Sequence, residues 1–103
     1  MDTASDCVRV NILTFATVRD RLESAGCRSN TDELNKFRIA LAPTWPSGQA
    51  LRRHLCGQLW PVLADIEHSI ALALNLQYID LHDGPLTLTT DDNLALIPPI
   101  SGG

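Results

Sequence analysis

The chain contains no Cys-x-x-Cys pair, and its three cysteines, Cys7, Cys27 and Cys56, are an odd and scattered set. That spacing argues against a disulfide framework and a zinc site, so no metal is expected, and it fits a reducing compartment. No apolar run approaches the ~18 residues that a membrane-crossing helix needs. Residues 1–6 are acidic and lack the basic start and apolar stretch of a secretory signal, so the expected location is the cytosol and no membrane partner is expected. Net charge −4 and a pI near 5.1 provide no cationic excess for binding phosphates, which weighs against nucleic acid as the main partner. Catalytic signatures are missing as well: there is no His-Glu-x-x-His, Gly-x-Ser-x-Gly or P-loop pattern. His54, His68 and His82 fall on a helix face, a helix-to-strand connection and a loop. His82-Asp83 reads more simply as a turn than as an acid–base pair. Cys56 reads as a small, partly buried helix residue, and Trp45 and Trp60 as packing residues. The chain is therefore not expected to catalyse a reaction alone.

What remains is enough for one compact core: 103 residues, 45% of them hydrophobic, with no repeat and no interdomain linker. Val8, Val10 and Ile12 alternate with Arg9 and Asn11, the period of a half-buried strand. Thr17-x-x-Asp20 predicts the start of a helix that Gly26 closes. The polar stretch from Cys27 to Lys36 reads as a loop, and Phe37, Ile39 and Leu41 as a second strand ending before Pro43. Ser47 is the expected N-cap of the main helix. On that helix Leu51, Leu55 and Leu59 form the core stripe while Arg52, Arg53 and Gln58 face water, until Pro61 ends or kinks it. Trp60, Leu63 and Ile66 then cover one edge of the core. Ile70–Leu74, Tyr78–Leu81 and Leu94–Ile97 are the remaining expected strands. Strands interrupted by two helices, with a sheet under the main helix, make an α+β domain. Asp80, Asp83, Asp91 and Asp92 read either as a solvated loop surface or as a patch that steers a basic partner.

The final strand runs into Pro98-Pro99-Ile100-Ser101-Gly102-Gly103. Glycine lacks a Cβ, so Gly102-Gly103 can enter a channel that excludes other residues. The two prolines favour an extended base, and six extended residues reach roughly 20 Å. We therefore expect a folded body over 1–97 and a flexible tail over 98–103.

A strand followed by Pro-Pro-x-Ser-Gly-Gly resembles the small, sulfur-carrier subunit of molybdopterin synthase. The segments Val8–Ala16 with Val18-Arg19-Asp20, Ala50–Leu55, Ala71–Asn75 and Pro85-Leu86 are similar to further parts of that family, in the same order. The resemblance implies a β-grasp, ubiquitin-like fold with a mixed sheet covered by one main helix. It implies that an E1-like adenylyltransferase/sulfurtransferase uses ATP to adenylate the Gly103 carboxylate and converts it to a thiocarboxylate; no cofactor is bound by the chain itself. It also implies a large catalytic subunit as partner, in a heterotetramer of two large and two small subunits. The tail, Pro98 through Gly102, would lie in that partner's active site, and sulfur would pass to the cyclic pyranopterin precursor to build the dithiolene. Phe15 and Ile97 are candidates for the docking face, with ordinary core burial as the alternative. The usual Gly-Asp step before the last strand is replaced by Thr90-Asp91-Asp92-Asn93, where Asn would tolerate left-handed φ. Gly26–Pro46 matches the family poorly. Two further readings stay open: a related Gly-Gly carrier for thiazole synthesis, tRNA thiolation or protein conjugation, and a plain interaction module.

Overall fold

The computed structural model describes residues 7–27, 36–82 and 84–98. Alternating apolar residues build a five-stranded sheet ordered β2-β1-β7-β4-β5, from β1 (Val8–Thr14), β2 (Lys36–Leu41), β4 (Ala71–Leu74), β5 (Gln77–Tyr78) and β7 (Asn93–Ile97). β1 and β7 run parallel at the centre, and every other pairing in this sheet is antiparallel. A two-stranded ribbon of β3 (Thr44–Trp45) and β6 (Leu86–Thr87) stands apart from it. Sequence periodicity missed this ribbon because two residues are too short to show a period. The mixed sheet and its helical cover are the α+β, β-grasp arrangement expected.

Register determines which side chains share a face. Ile12 is opposite Leu94 and Leu94 opposite Leu74, while Leu96 lies between Thr14 and Leu72. Ile12, Leu72, Leu94 and Leu96 are fully buried beneath the helices. That cover is shared rather than supplied by one helix. Helix α1 (Ala16–Ser24) buries Val18 and Leu22, and α2 (Gly48–Arg53) buries Leu51. A π-helical turn (His54–Leu59) buries Leu55 and Cys56, and a 3-10 segment (Pro61–Ser69) buries Leu63. Trp60 packs edge-on against Phe37 with ring centroids 5.0 Å apart, as its packing role required.

Helix boundaries follow local chemistry. Ser47 Oγ accepts from Ala50 N at 3.1 Å, the N-cap expected. Gly26 closes α1 at φ 82°, with Gly26 N donating to Glu23 O and Cys27 N to Leu22 O, a Schellman pair. Pro61 opens the 3-10 segment after Trp60 leaves helical geometry. Helix α1 corrects the Thr17 cap: Phe15 occupies the cap position without a side-chain cap bond, and Asp20 lies near Arg19 instead.

Other expectations also shift. Arg52 does not face water; it is 9% exposed and donates to Ile70 O at 2.9 Å and His68 O at 3.4 Å. It thus meets carbonyls at the end of the 3-10 segment, which have no helical donor of their own. Cys56 is buried outright, and burial pushes its thiol up to about 11, with Glu67 adding and Arg52 opposing. Leu59 and Ile66 are only partly buried. The strand expected at Tyr78–Leu81 is Gln77–Tyr78, and Ile79 and Leu81 instead pack onto the core from a loop. No helix of the described residues is long and apolar enough to cross a membrane.

Candidate functional site

The second face of the sheet is also apolar at its centre. Leu13 is opposite Ala95, Ala95 opposite Ala73, and Ala73 opposite Tyr78, which makes one continuous row across β1, β7, β4 and β5. The two alanines leave a depression between larger neighbours. The result is a groove of about 260 Å3 lined by Leu13, Phe15, Ala73, Leu76, Tyr78, Asn93, Ala95 and Ile97. Among the described residues, the exposed large hydrophobics are Phe15 at 41%, Leu76 at 97% and Tyr78 at 73%, and all three line it. Isolated exposed apolar residues are ordinary, but their convergence on one concave face makes this groove the candidate site. Phe15 and Ile97 meet here, on the face away from the helices. For Phe15 the outward alternative holds; Ile97 is half-buried at the groove wall.

A polar row borders this apolar one. Asn11 is opposite Arg38 on one side and Asn93 on the other. Arg38 Nη1 donates to Asn11 Oδ1 at 3.2 Å, and Asn11 Nδ2 donates to Asn93 Oδ1 at 3.3 Å. Arg38 also pairs with Asp91 at 2.8 Å. Asn75 ties the β4–β5 hairpin to the start of β7: its N donates to Asn93 O at 2.7 Å, and its Oδ1 accepts from Asn93 N at 2.9 Å. Its Nδ2 donates to Asp92 at 3.0 Å. The backbone N–H of Thr89 and then the Asn75 amide hold the Asp92 carboxyl below the usual range. Asp91 and Asp92 are therefore engaged in holding this turn, while Asp80 accepts from His82 N in its own turn. Asp83 lies outside the described residues. Asp91, not Asn93, takes the left-handed φ of 73° in the turn that lacks the Gly-Asp step.

Backbone strain gathers around the same groove. Among the described residues, the non-glycine positions with positive φ are Ala16, Asn75, Leu76 and Asp91. Ala16 follows Phe15, Asn75-Leu76 forms the hairpin tip, and Asp91 precedes β7. Left-handed backbone costs Ala16 and Leu76 roughly 1–2 kcal/mol, whereas Asn75 and Asp91 are of the residue types that tolerate it.

Pro98, half-buried, leaves the sheet directly after Ile97 at the groove wall. The other expected tail residues, Pro99, Ile100, Ser101, Gly102 and Gly103, lie outside the described residues. The structure does not gather the histidines. His54 lies 5.1 Å from the Trp45 ring beside the ribbon, His68 is near the end of the 3-10 segment, and His82 is in an exposed turn. Sequence reading missed Leu76 and Tyr78 as groove residues, because the turn at Asn75-Leu76 lacks the glycine that signals a two-residue hairpin.

No protein-family model matches the chain. It is 34% identical over 100 residues to the molybdopterin synthase sulfur carrier subunit of Aedes aegypti, covering 97% of this chain and 94% of that protein. Its fold overlays subunit 1 or 2 in a Helicobacter pylori complex of the two molybdopterin-converting factor subunits, with TM-score 0.55 and 25% identity, covering 93% of this chain and all of that one. It also overlays small archaeal modifier protein 1 of Haloferax volcanii with TM-score 0.58 and 20% identity, covering 90% and 99% of the respective chains. The last similarity is one of fold.

Proposed function

The chain belongs to the molybdopterin synthase sulfur carrier subunit family, and from that premise we propose that it carries sulfur on Gly103 for molybdenum cofactor biosynthesis. The observation that carries this reading is the 34% identity extending over 97% of the chain. The groove supports it, because a carrier must dock before its tail can be used, and Pro98 leaves the sheet beside that groove.

The chemistry resides in the tail rather than in a pocket of this chain. A carboxylate is a poor acyl donor because its oxide leaving group is bad. Attack of the Gly103 carboxylate oxygen on the α-phosphorus of ATP forms an acyl-adenylate and expels pyrophosphate. Sulfur delivered to that carbonyl then displaces AMP and leaves a thiocarboxylate. An E1-like adenylyltransferase and sulfurtransferase performs both steps. The thiocarboxylate sulfur, soft and ionised near neutral pH, then attacks a carbon of the pyranopterin precursor within the large synthase subunit and displaces its oxygen substituent. Water cleaves the acyl–sulfur bond, leaving the sulfur on the precursor and returning Gly103 to a carboxylate. Gly102 allows the tail through a narrow channel, Ile100 and Ser101 make backbone or shallow side-chain contacts inside the partner, and Pro98-Pro99 reduce the entropy lost on threading. The partner is thus the large subunit, two copies of each chain forming the assembly, in the cytosol.

The test is the intact mass of the chain after incubation with ATP, a sulfur source and the E1-like partner. The expected gain equals the exchange of one oxygen for sulfur, localised to Gly103 by fragmentation. An unchanged mass beside a demonstrably active partner would overturn the reading. Recovery of the chain as a lysine conjugate would instead favour protein conjugation.

A further inference from the structure

Strand β7 leads straight into the tail, so its register decides how much chain projects beyond the sheet. A shift of one residue would turn Leu94 and Leu96 out of the core, and burial alone forbids it. A shift of two residues is resisted less, because it keeps the same faces and puts one of these leucines in the other's place. It would move the tail by about 7 Å, the rise of two strand residues.

Side-chain bonds at the start of β7 distinguish the observed register from that alternative. Asn75 Nδ2 donates to Asp92 Oδ1 at 3.0 Å, and Asn75 Oδ1 accepts from Asn93 N at 2.9 Å. From the β1 side, Asn11 Nδ2 donates to Asn93 Oδ1 at 3.3 Å, and Asn11 N donates to Asp92 O at 2.8 Å. The Arg38–Asp91 pair, at 2.8 Å, holds the preceding residue. The shift that retracts the tail would bring Leu94 and Ala95 to the places of Asp92 and Asn93, and neither offers a side-chain acceptor. A shift in either direction would separate Asp91 from Arg38. These side-chain bonds lie at exposed positions and add only modestly to stability, yet they are specific to one register.

We propose that Asn75 is a positioning residue: with Asn11 and Asn93 it locks the register of β7 and so sets the reach of the sulfur-bearing tail. The inference rests on the carrier reading and adds to it a residue outside the tail. The five residues after Pro98 span roughly 17 Å when extended, so two residues are a large share of that reach. Transfer needs the reacting atoms within about 3–3.5 Å, and a displacement of several Å loses it.

The test uses chains prepared chemically as C-terminal thiocarboxylates, so that loading does not depend on the E1-like partner. Single-turnover sulfur transfer to the precursor is followed at increasing concentrations of the large subunit. Asn75→Gly keeps the left-handed turn and removes both side-chain bonds. Its rate at saturation should fall about tenfold or more, while its half-saturating concentration stays close to the parent's. Val18→Ala, in the core under α1, lowers Tm without altering these bonds, and its rate at saturation should match the parent's. An unchanged saturating rate for Asn75→Gly, or an equal fall in Val18→Ala, would overturn the register lock and leave the carrier reading intact. A defect seen only as a higher half-saturating concentration would also overturn it, because Asn75 would then act in docking. A loaded parent chain that transfers no sulfur would overturn the carrier reading, and the lock with it.

Discussion

The two faces of the central sheet are built from the same strands and differ in what covers them. On one, Ile12, Leu72, Leu94 and Leu96 meet the helices and are fully buried. On the other, Leu13, Ala73, Ala95 and Tyr78 form a largely apolar row with none of the described helices over it, bordered by the Arg38–Asn11–Asn93 network. A free antiparallel face usually carries polar residues in alternation. Here the centre of the free face departs from that pattern, and apolar surface that stabilises the fold on the covered side is left accessible on the other. Left-handed backbone distinguishes them too: among the described residues, Ala16, Leu76 and Asp91 sit at the ends of strands around the open face.

Adjacent residues on β7 test that contrast most directly. Leu96 is fully buried, so Leu96→Ala should lose about 2–5 kcal/mol of unfolding free energy, read by chemical denaturation. Ile97, one residue on and facing the groove, should lose only about 1 kcal/mol or less as Ile97→Ala, while its affinity for the large subunit falls. Equal stability losses at the two positions would contradict the division between a covered and an available face.

The smallest expected effect lies at the turn before β7. The Asp92 carboxyl is held below its usual range by the Thr89 N–H and the Asn75 amide. A lowered pKa in the folded state means that its contribution is present above the ordinary Asp pKa and is lost as pH falls through the folded value. Acidification below the usual carboxylate range should therefore loosen this turn. Asp92→Asn should flatten that part of the stability-versus-pH curve, with hydrogen exchange at Thr89 N as the local readout. Because Asp92 is only half-buried in a surface turn, the effect on global stability should be slight.

Much of this was legible in the residues. Period-two runs located β1, β2 and β4, a short apolar run after turn-forming Asp and Asn located β7, and Ser47, Gly26 and Pro61 marked helix boundaries through capping and backbone geometry that act locally. The Pro-Pro-x-Ser-Gly-Gly ending carried the family. Arg52 was misread because a helix-face argument sees only the helix itself, not the carbonyls that another segment brings to it. The β3–β6 ribbon was too short to carry a period. Phe15 remained ambiguous because an apolar residue after a strand reads alike whether it turns inward or outward.

The sequence by itself determined the longer strands, several helix boundaries and the apolar content for a single core, since each depends on near neighbours in the chain. Only the tertiary structure decided that Phe15, Leu76, Tyr78 and Ile97 share one groove, from residues as far apart as positions 15 and 97. Parallel pairing of β1 with β7, and antiparallel pairing of β7 with β4, brings them together. Register between distant strands is selected by which pairing buries the other face, and that is a property of the whole core.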